Sequence, residues 1–489
     1  MVVYWKEILA VLVCYQLYCV EGYCNRKTYR RPHIVLIVSD DQGWNDVSWH
    51  NPEVLTPHMD KLAKQGVKLE NHYVHPVCSP SRGAILTGKY SHRLGLQFGS
   101  IIPNEAKFLP ESATLLPEML KEMGYTTHMT GKWHLGDCKK NLLPTSRGFD
   151  SFTGLLRGAG DYFTRQLFGV YDFWENETVY RPQEGSYNTD LFTQRAVEII
   201  EKNNPKTSPL FLYVPYTSPH SPLQVPQKFM DMYPNVINPA RRRYLGMVSS
   251  LDEGVGIIAD ALEKSGHMDN TVFIFLSDNG GNTDVGASNI PLRGIKGQLW
   301  EGGSKSVGFV YSPRFFKQEG CVHEGMIHAV DWFPTILDMA DFNKDKKRNM
   351  CGTIDGVSQW TYIQTCRGSG REEFVYQIDD YVAKSAAIRV GDYKMIVGDP
   401  RVVDFSFGPT GNISIKLVDP NNNDIRLFNL KNDPTESNNL ASRLPDKVKK
   451  MKIRLDELRK DSLPIEFPVW ESNEIGSPNN IVSTEWCSV

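Results

Sequence analysis

The chain has 489 residues, 40% of them hydrophobic, enough for one large domain with a core and a smaller one beside it. Its formal net charge of -3 gives no basic excess, which excludes a nucleic-acid footprint. No run of like charge is long enough for a tail, and there is no internal repeat or low-complexity segment.

The N-terminus reads as a signal peptide over residues 1–22. Lys6 precedes an apolar run from Ile8 to Val20, interrupted by Gln16, and Val20-Glu21-Gly22 offers a cleavage site. The run is shorter than the roughly 20 residues a membrane span needs. No later segment is long and apolar enough to span, so no stable membrane insertion is expected after cleavage. Cys14 and Cys19 leave with the leader; Cys24, Cys78, Cys138, Cys321, Cys351, Cys366 and Cys487 remain. That number is odd, so one thiol stands apart from any full pairing. Pairing is not deducible from sequence, though Cys351 and Cys366 are close enough to close a local loop. The sequons at Asn176 and Asn412 suit a secretory compartment.

His33 to Ser39 is an Ile/Val-rich run between Pro32 and Asp40, the pattern of a buried parallel strand. Thr56-Pro57 opens a helix to about Gln65, stopped by Gly66, and a strand follows near Val67 to Tyr73. Ser79-Pro80 reads as N-cap and first position of a helix that Gly88 ends. A helix over Leu115–Glu122 precedes a strand near Tyr125–Met129. Helix Thr189–Lys202 precedes strand Pro209–Val214, and helix Arg241–Lys264 precedes strand Thr271–Leu276. This alternation predicts an α/β sandwich with a mostly parallel sheet. Past about residue 375, short strands are predicted at Glu373–Ile378, Ala386–Val390, Tyr393–Val397, Ile413–Val418 and Arg426–Leu430. A charged helix follows over Asp446–Lys460. We therefore divide the mature chain into a catalytic domain at 23–375 and a smaller antiparallel α+β subdomain with one helix at 376–489.

Open α/β sheets bind ligands at the carboxyl ends of their strands. Asp40-Asp41, His220 and Asp278-Asn279 all follow strands there. Asp40, Asp41, Asp278 and Asn279 offer only oxygen, which selects a hard cation, calcium or magnesium. One such pair alone is an ordinary turn former; two pairs beside Cys78 read as a metal site. Cys78 lies at a helix N-terminus, where anions are favoured. Arg82, one turn on, points back toward residue 78 or the carboxylates. In Gly131-Lys132-Trp133-His134, positions 132 and 134 share a face if the segment is extended. Lys296 lies in a Gly-rich loop. Cations of this kind stabilise negative charge that develops on a leaving oxygen. His323-Glu324 and His328 are one residue too widely spaced for the zinc pattern His-Glu-x-x-His and read as non-catalytic.

Cys78-Ser79-Pro80-Ser81-Arg82, followed by Leu86-Thr87-Gly88-Lys89, with Asp40-Asp41 before it and Gly131-Lys132-Trp133-His134 after it, resembles the type I, formylglycine-dependent sulfatase family. The resemblance runs from about Arg31 into the C-terminal region. Within the family it looks closest to the arylsulfatase B (N-acetylgalactosamine-4-sulfatase) group. Four stretches carry that: Ser39 to Val47, Thr130 to Gly136, His220 to Pro226, and Pro291-Leu292-Arg293-Gly294 with Leu299-Trp300-Glu301-Gly302-Gly303. It implies an alkaline-phosphatase-like sandwich. It also implies one calcium held by Asp40, Asp41, Asp278 and Asn279, with an oxygen of modified Cys78 as a further ligand. A formylglycine-generating enzyme is the implied partner, and a sulfate ester the substrate. By resemblance, the hydrate at 78 attacks sulfur, and Lys132, His220 and Lys296 grip the sulfate. His220 protonates the leaving oxygen, His134 takes the proton that expels sulfate, and Arg82 orients residue 78. The implied substrate is a sulfated sugar such as N-acetylgalactosamine 4-sulfate, in a lysosomal or extracellular setting. Small sulfated glycosides or phenolic sulfates are the alternative. The loops Gly158–Glu177 and Asp379–Lys384 differ in texture from that group. The rival readings are a phosphatase or phosphodiesterase of the same superfold and a non-catalytic secreted carbohydrate-binding relative. The first expects Ser or Thr and several His ligands; the second expects loss of Cys78, Lys132, His134 or Asp278.

Overall fold

The computed structural model describes residues 31–464, apart from 104, 317–319, 343–352, 383, 402–403, 408–412 and 417–421. The leader, Asn412, Cys24, Cys351 and Cys487 lie outside the described residues. Among the described residues no helix is long and apolar enough to cross a membrane.

The buried run His33–Ser39 forms the strand its composition predicts, and it sits near the middle of a ten-stranded sheet. Its neighbours, Leu210–Pro215 and Thr271–Ser277, both pair with it in parallel. Thr126–Lys132 and Ser151–Leu155 extend the parallel centre on one side. On the other side Gly308–Tyr311 and Val67–Leu69 pair antiparallel. Side-chain alternation along the central strand separates two cores. Ile34, Leu36 and Val38 pack with Ile85, Leu86 and Phe333; Val35 and Ile37 pack with Met59, Phe192 and Leu251. Helices Asn188–Lys202 and Pro239–Lys264 cover the second face. Burial on both faces explains why these strands read as continuous apolar runs.

A four-stranded antiparallel sheet follows, built from Glu373–Asp379, Ser385–Val390, Tyr393–Val397 and Ile425–Asn429. Its inner residues Phe374, Ile388, Met395 and Leu427 join the core that contains the Cys78 helix. Strand Ile413–Lys416 pairs instead with Asp404–Phe407, in a separate two-stranded sheet. The charged helix spans Pro445–Arg459.

Four local expectations change. The strand expected over 67–73 is two short ones, Val67–Leu69 in the large sheet and His72–Tyr73 against Ile327–His328, parted by a turn at Glu70-Asn71. Thr56 precedes helix Pro57–Gln65 but its side chain does not cap it; its hydroxyl accepts from the Ser48 amide at 2.9 Å. The Cys78 helix spans Cys78–Thr87, after an extended Val77, so it begins two residues earlier than a Ser79 cap requires. Pro80 is tolerated because first-turn amides lack intrahelical partners, and the Ser79 hydroxyl accepts from Ile101 N at 3.1 Å. Gly88 ends this helix, as predicted, and does so in the left-handed conformation. Finally, Cys366 bonds Cys321, 45 residues away, not Cys351. The fold brings the edge strand Cys321–His323 to the end of helix Trp360–Thr365. Cys138 is also disulfide-bonded, and Cys78 is a buried free thiol.

Candidate active site

The central strands end level with one another. The Asp278 amide donates to Ser39 O at 3.0 Å, and the Asp40 amide donates to Ser218 O at 3.1 Å. Parallel register thus delivers Asp40-Asp41 and Asp278-Asn279 to one edge, 237 residues apart in sequence. Asp41 adopts a positive φ of 63°, which turns the chain back under the strand end.

The first turn of the Cys78 helix lies over this edge. Ligand atoms of Asp40, Asp41, Cys78 and Asp278 all lie within 4.8 Å of one another, and all four residues are buried. The Cys78 thiol donates to Asp40 Oδ1 at 3.4 Å. Asn279 Nδ2 donates to Asp41 Oδ1 at 2.8 Å. Its other atom, Oδ1, is buried with no hydrogen-bond partner among the described residues. An orphaned carbonyl oxygen beside three converging carboxylates is a donor set suited to a hard cation. The residues therefore fit a metal ion, and Asp40, Asp41, Asp278 and Asn279 are the ones that can hold it.

Cations surround the carboxylates. Lys132 Nζ, at the end of strand Thr126–Lys132, contacts Asp40 Oδ2 at 2.6 Å. Lys296 Nζ contacts Asp41 Oδ1 at 2.8 Å. Arg82 donates Nε and Nη2 to Asp278 Oδ2 at 3.0 and 2.8 Å, and Nη1 to Lys132 O at 3.2 Å. Of the two roles open to Arg82, the structure shows the carboxylate partner. The electrostatics follow from burial and these neighbours. Burial opposes ionisation of Asp41, yet Lys296 and then His220 bring its pKa down to about 2. Burial and then Asp40 push Asp278 up. Burial and then Asp278 push the Cys78 thiol well up, so the unmodified residue is a neutral thiol and a poor nucleophile.

Two histidines complete the site. His134 has a φ of 57°, so the segment is not extended there as the shared-face argument assumed; the left-handed residue still turns its ring toward the cavity beside Cys78. His134 Nε2 lies 2.7 Å from Ile101 O, the geometry of a donated N–H, while Nδ1 is buried without a partner among the described residues. His220 Nδ1 lies 2.5 Å from Ser221 O, which leaves Nε2 facing Asp41 Oδ2 at 3.7 Å. Burial and then Lys132 keep His134 neutral; burial and then Lys296 lower His220 to about 3.

A narrow cavity opens above, lined by Cys78, His134, His220 and Lys296 on the polar side. Ile101, Ile102, Pro103, Ala159 and Leu167 form an apolar wall. The loop after Gly158 thus reaches the cavity, whereas Asp379–Lys384 does not line it. Sequence reasoning missed Gly158 itself. A Cβ there would lie 2.5 Å from the His134 ring, so only glycine leaves the imidazole its place. It also missed the carbonyls of Ile101 and Ser221, because backbone acceptors carry no residue signature. His323 and His328 lie on two short strands, not on one helix face, in line with the non-catalytic reading.

A mixed sheet that carries an acidic, cysteine-containing site at its parallel strand ends, under the first turn of a helix, defines a class of hydrolase. The chain matches the Sulfatase family model over residues 32–342 and belongs to the sulfatase family. It is 40% identical over 468 residues to arylsulfatase J of Mus musculus, covering 90% of this chain and 77% of the relative. It is 31% identical to N-acetylgalactosamine-6-sulfatase of Homo sapiens, covering 72% of this chain and 69% of that one. Among solved structures it resembles Ps i-CgsB in complex with k-i-k-neocarrahexaose. There the TM-score is 0.78 at 29% identity, covering 91% of this chain and 96% of the other. The chain is a sulfuric ester hydrolase.

Proposed function

We propose that this sulfatase is calcium-dependent, that Cys78 is its formylglycine precursor, and that it removes sulfate from a sugar such as N-acetylgalactosamine 4-sulfate. The observation that carries the reading is the convergence of the Cys78 thiol, three buried carboxylates and the orphaned Asn279 Oδ1. A relative named for an N-acetylgalactosamine sulfate and a structural neighbour holding a carrageenan-type hexaose support a sugar substrate.

Asp40, Asp41, Asp278 and Asn279 would hold calcium, which would supply positive charge for the ester; the formylglycine-generating enzyme would oxidise Cys78 to an aldehyde, and addition of water would give the hydrate that acts as nucleophile. Lys132 and Lys296 bind the sulfate oxygens, and Lys296 faces the leaving oxygen. His220 presents Nε2 to that oxygen. Its resting form is neutral, so it becomes an acid only once the substrate's negative charge offsets Lys296. His134 has its tautomer fixed by Ile101 O and accepts a proton at Nδ1. Arg82 holds Asp278 and the carbonyl of Lys132 in place. The leader and the Asn176 sequon, exposed in the hairpin between Trp174–Glu175 and Thr178–Val179, support a lysosomal or extracellular setting.

One observation favours the second reading, a small sulfated glycoside or phenolic sulfate: the wall beside the reacting atoms is apolar. The test is twofold. The mass of the Cys78 peptide from protein secreted by a eukaryotic cell should match formylglycine. Sulfated galactosamine disaccharides and small aryl sulfates are then assayed side by side. Preference for the disaccharide supports the sugar reading and preference for the aryl ester the second. A plain cysteine, in a host that modifies a control sulfatase, sinks the mechanism.

A further inference from the structure

The stretch Leu299-Trp300-Glu301-Gly302-Gly303 carries resemblance to the family but has no role in the scheme above. We propose that Glu301 is a positioning residue: it fixes, from the C-terminal sheet, the loop that places Lys296 and the Asp278–Asn279 pair.

Glu301 is 2% exposed, and its carboxylate is gripped from three directions. Oε1 accepts from Tyr376 OH at 2.6 Å and from Lys394 Nζ at 3.0 Å. Oε2 accepts from Tyr73 OH at 2.8 Å. Its own amide donates to Glu436 Oε2 at 2.7 Å. Tyr376 and Lys394 belong to the C-terminal sheet; Tyr73 precedes Cys78 by a few residues. Burial opposes the charge on Glu301, yet Lys394 and then Arg389 bring its pKa down to about 2. Two further bonds pin the same loop to the C-terminal region: Arg293 Nη1 to Glu436 O at 3.0 Å and Leu299 N to Pro400 O at 2.6 Å.

From Glu301 the contacts lead directly to the site. The Gly280 amide donates to Gly303 O at 2.9 Å, and a Cβ on Gly280 would lie 1.9 Å from Gly302 O. Gly280 follows Asn279, so this contact sets where the Asp278–Asn279 pair leaves the strand. The Gly302 amide donates to Arg293 O at 2.7 Å and closes the loop. The Lys296 amide donates to Gly281 O at 3.2 Å, and the Gly297 amide to Pro76 O at 2.9 Å, two residues before Cys78. One loop thus touches the segments before the nucleophile and after the carboxylate pair, and Glu301 is its buried anchor.

The proposal rests on the functional reading for the role of Lys296 and for calcium at the Asp278–Asn279 pair, but its metal arm does not depend on turnover. Glu301→Gln keeps size and some hydrogen bonding but removes the charge facing Lys394. In protein with verified formylglycine, calcium titration by calorimetry should show affinity about 10-fold weaker, the effect usual for partners behind metal ligands. Steady-state kinetics on 4-methylumbelliferyl sulfate should show KM rising more than kcat falls. At saturating calcium, in a Lys296→Ala background, Glu301→Gln should lower kcat/KM by no more than about 2-fold further, because the part of its role that acts through Lys296 is already gone. Unchanged calcium affinity together with multiplicative kinetic losses would overturn the proposal. If Glu301→Gln does not fold, Tyr376→Phe removes a single donor and should give the same pattern at about 3-fold; no change in either readout overturns it. Wild-type protein that binds calcium but cleaves no sulfate ester refutes the functional reading, and the calcium arm then decides for or against Glu301 alone.

Discussion

Two buried polar networks lie close together and differ in completeness. Around Glu301, each carboxylate oxygen meets a donor; Glu436 Oε1 faces Lys394 Nζ at 2.8 Å as an ion pair, off the hydrogen-bond direction. Around Asp278, like charges crowd, Asp278 is pushed up by burial and by Asp40, and Asn279 Oδ1 has no partner among the described residues. A buried network whose carboxylates meet donors or ion-pair partners rigidifies a frame; one that leaves an amide oxygen bare among converging carboxylates marks a place for a ligand. The contrast teaches that buried charge alone does not identify an active site. What marks the site is a bare amide oxygen among carboxylates that converge on one point beside Cys78.

The comparison breaks most decisively at Cys78. Cys78→Ser should lose turnover and accumulate sulfated protein by intact mass, since a serine ester has no second hydroxyl for elimination. Turnover at the wild-type rate would refute the nucleophile assignment. Next comes Asp278→Asn. It leaves the buried Arg82 without its carboxylate, a loss of about 3–5 kcal/mol for a broken buried pair. Thermal melts should show that drop and no stabilisation by added calcium, whereas wild type gains with calcium concentration. A calcium-dependent rise in the variant would place the metal elsewhere.

Gly158→Ala should displace the His134 ring. A misplacement of this kind costs about 10²-fold in kcat, with little change in the melting temperature; unchanged kcat would show that Nδ1 is not used. Acid tests three histidines buried away from the candidate site. Burial holds His72 at about 3, and His92 and His323 at about 4, all below their unfolded value. A basic group with a depressed folded pKa contributes stability that is present above about pH 6.5 and lost as pH falls toward the folded value. Each such histidine should cost about 2 kcal/mol at pH 5 by linkage. Melting temperatures measured from pH 7 to pH 5 should fall, and His72→Phe should flatten the slope; a flat wild-type profile would show these rings are not buried neutral. The smallest effect is expected at the surface. Arg454→Ala removes a half-exposed pair with Glu373, worth about 0–1 kcal/mol. A larger loss would mean the C-terminal helix is held by charge and not by Met451 and Leu455.

Much of this was legible in the chain. The central strand, the helices Pro57–Gln65 and Pro239–Lys264, and the strand Tyr393–Val397 follow from apolar runs and turn residues, which act locally. Asp40, Asp41, Cys78, Asp278 and Asn279 were recognisable because strand ends gather ligands and because Cys-x-Pro-x-Arg is a compact chemical signal. The Cys321–Cys366 bond, the split of 67–73 into two strands, and the left-handed turn at His134 were not. Each depends on a partner far away in sequence: an edge strand, a second sheet, a packed glycine. By itself the sequence singled out the residues that the fold gathers at the strand ends, since residue type and local pattern set donor atoms and strand ends. Tertiary structure alone decided which ring nitrogens of His134 and His220 meet backbone carbonyls, which oxygen lacks a partner among the described residues, and which donors surround Glu301. Those are properties of packing, where backbone carbonyls and side chains hundreds of residues apart become neighbours.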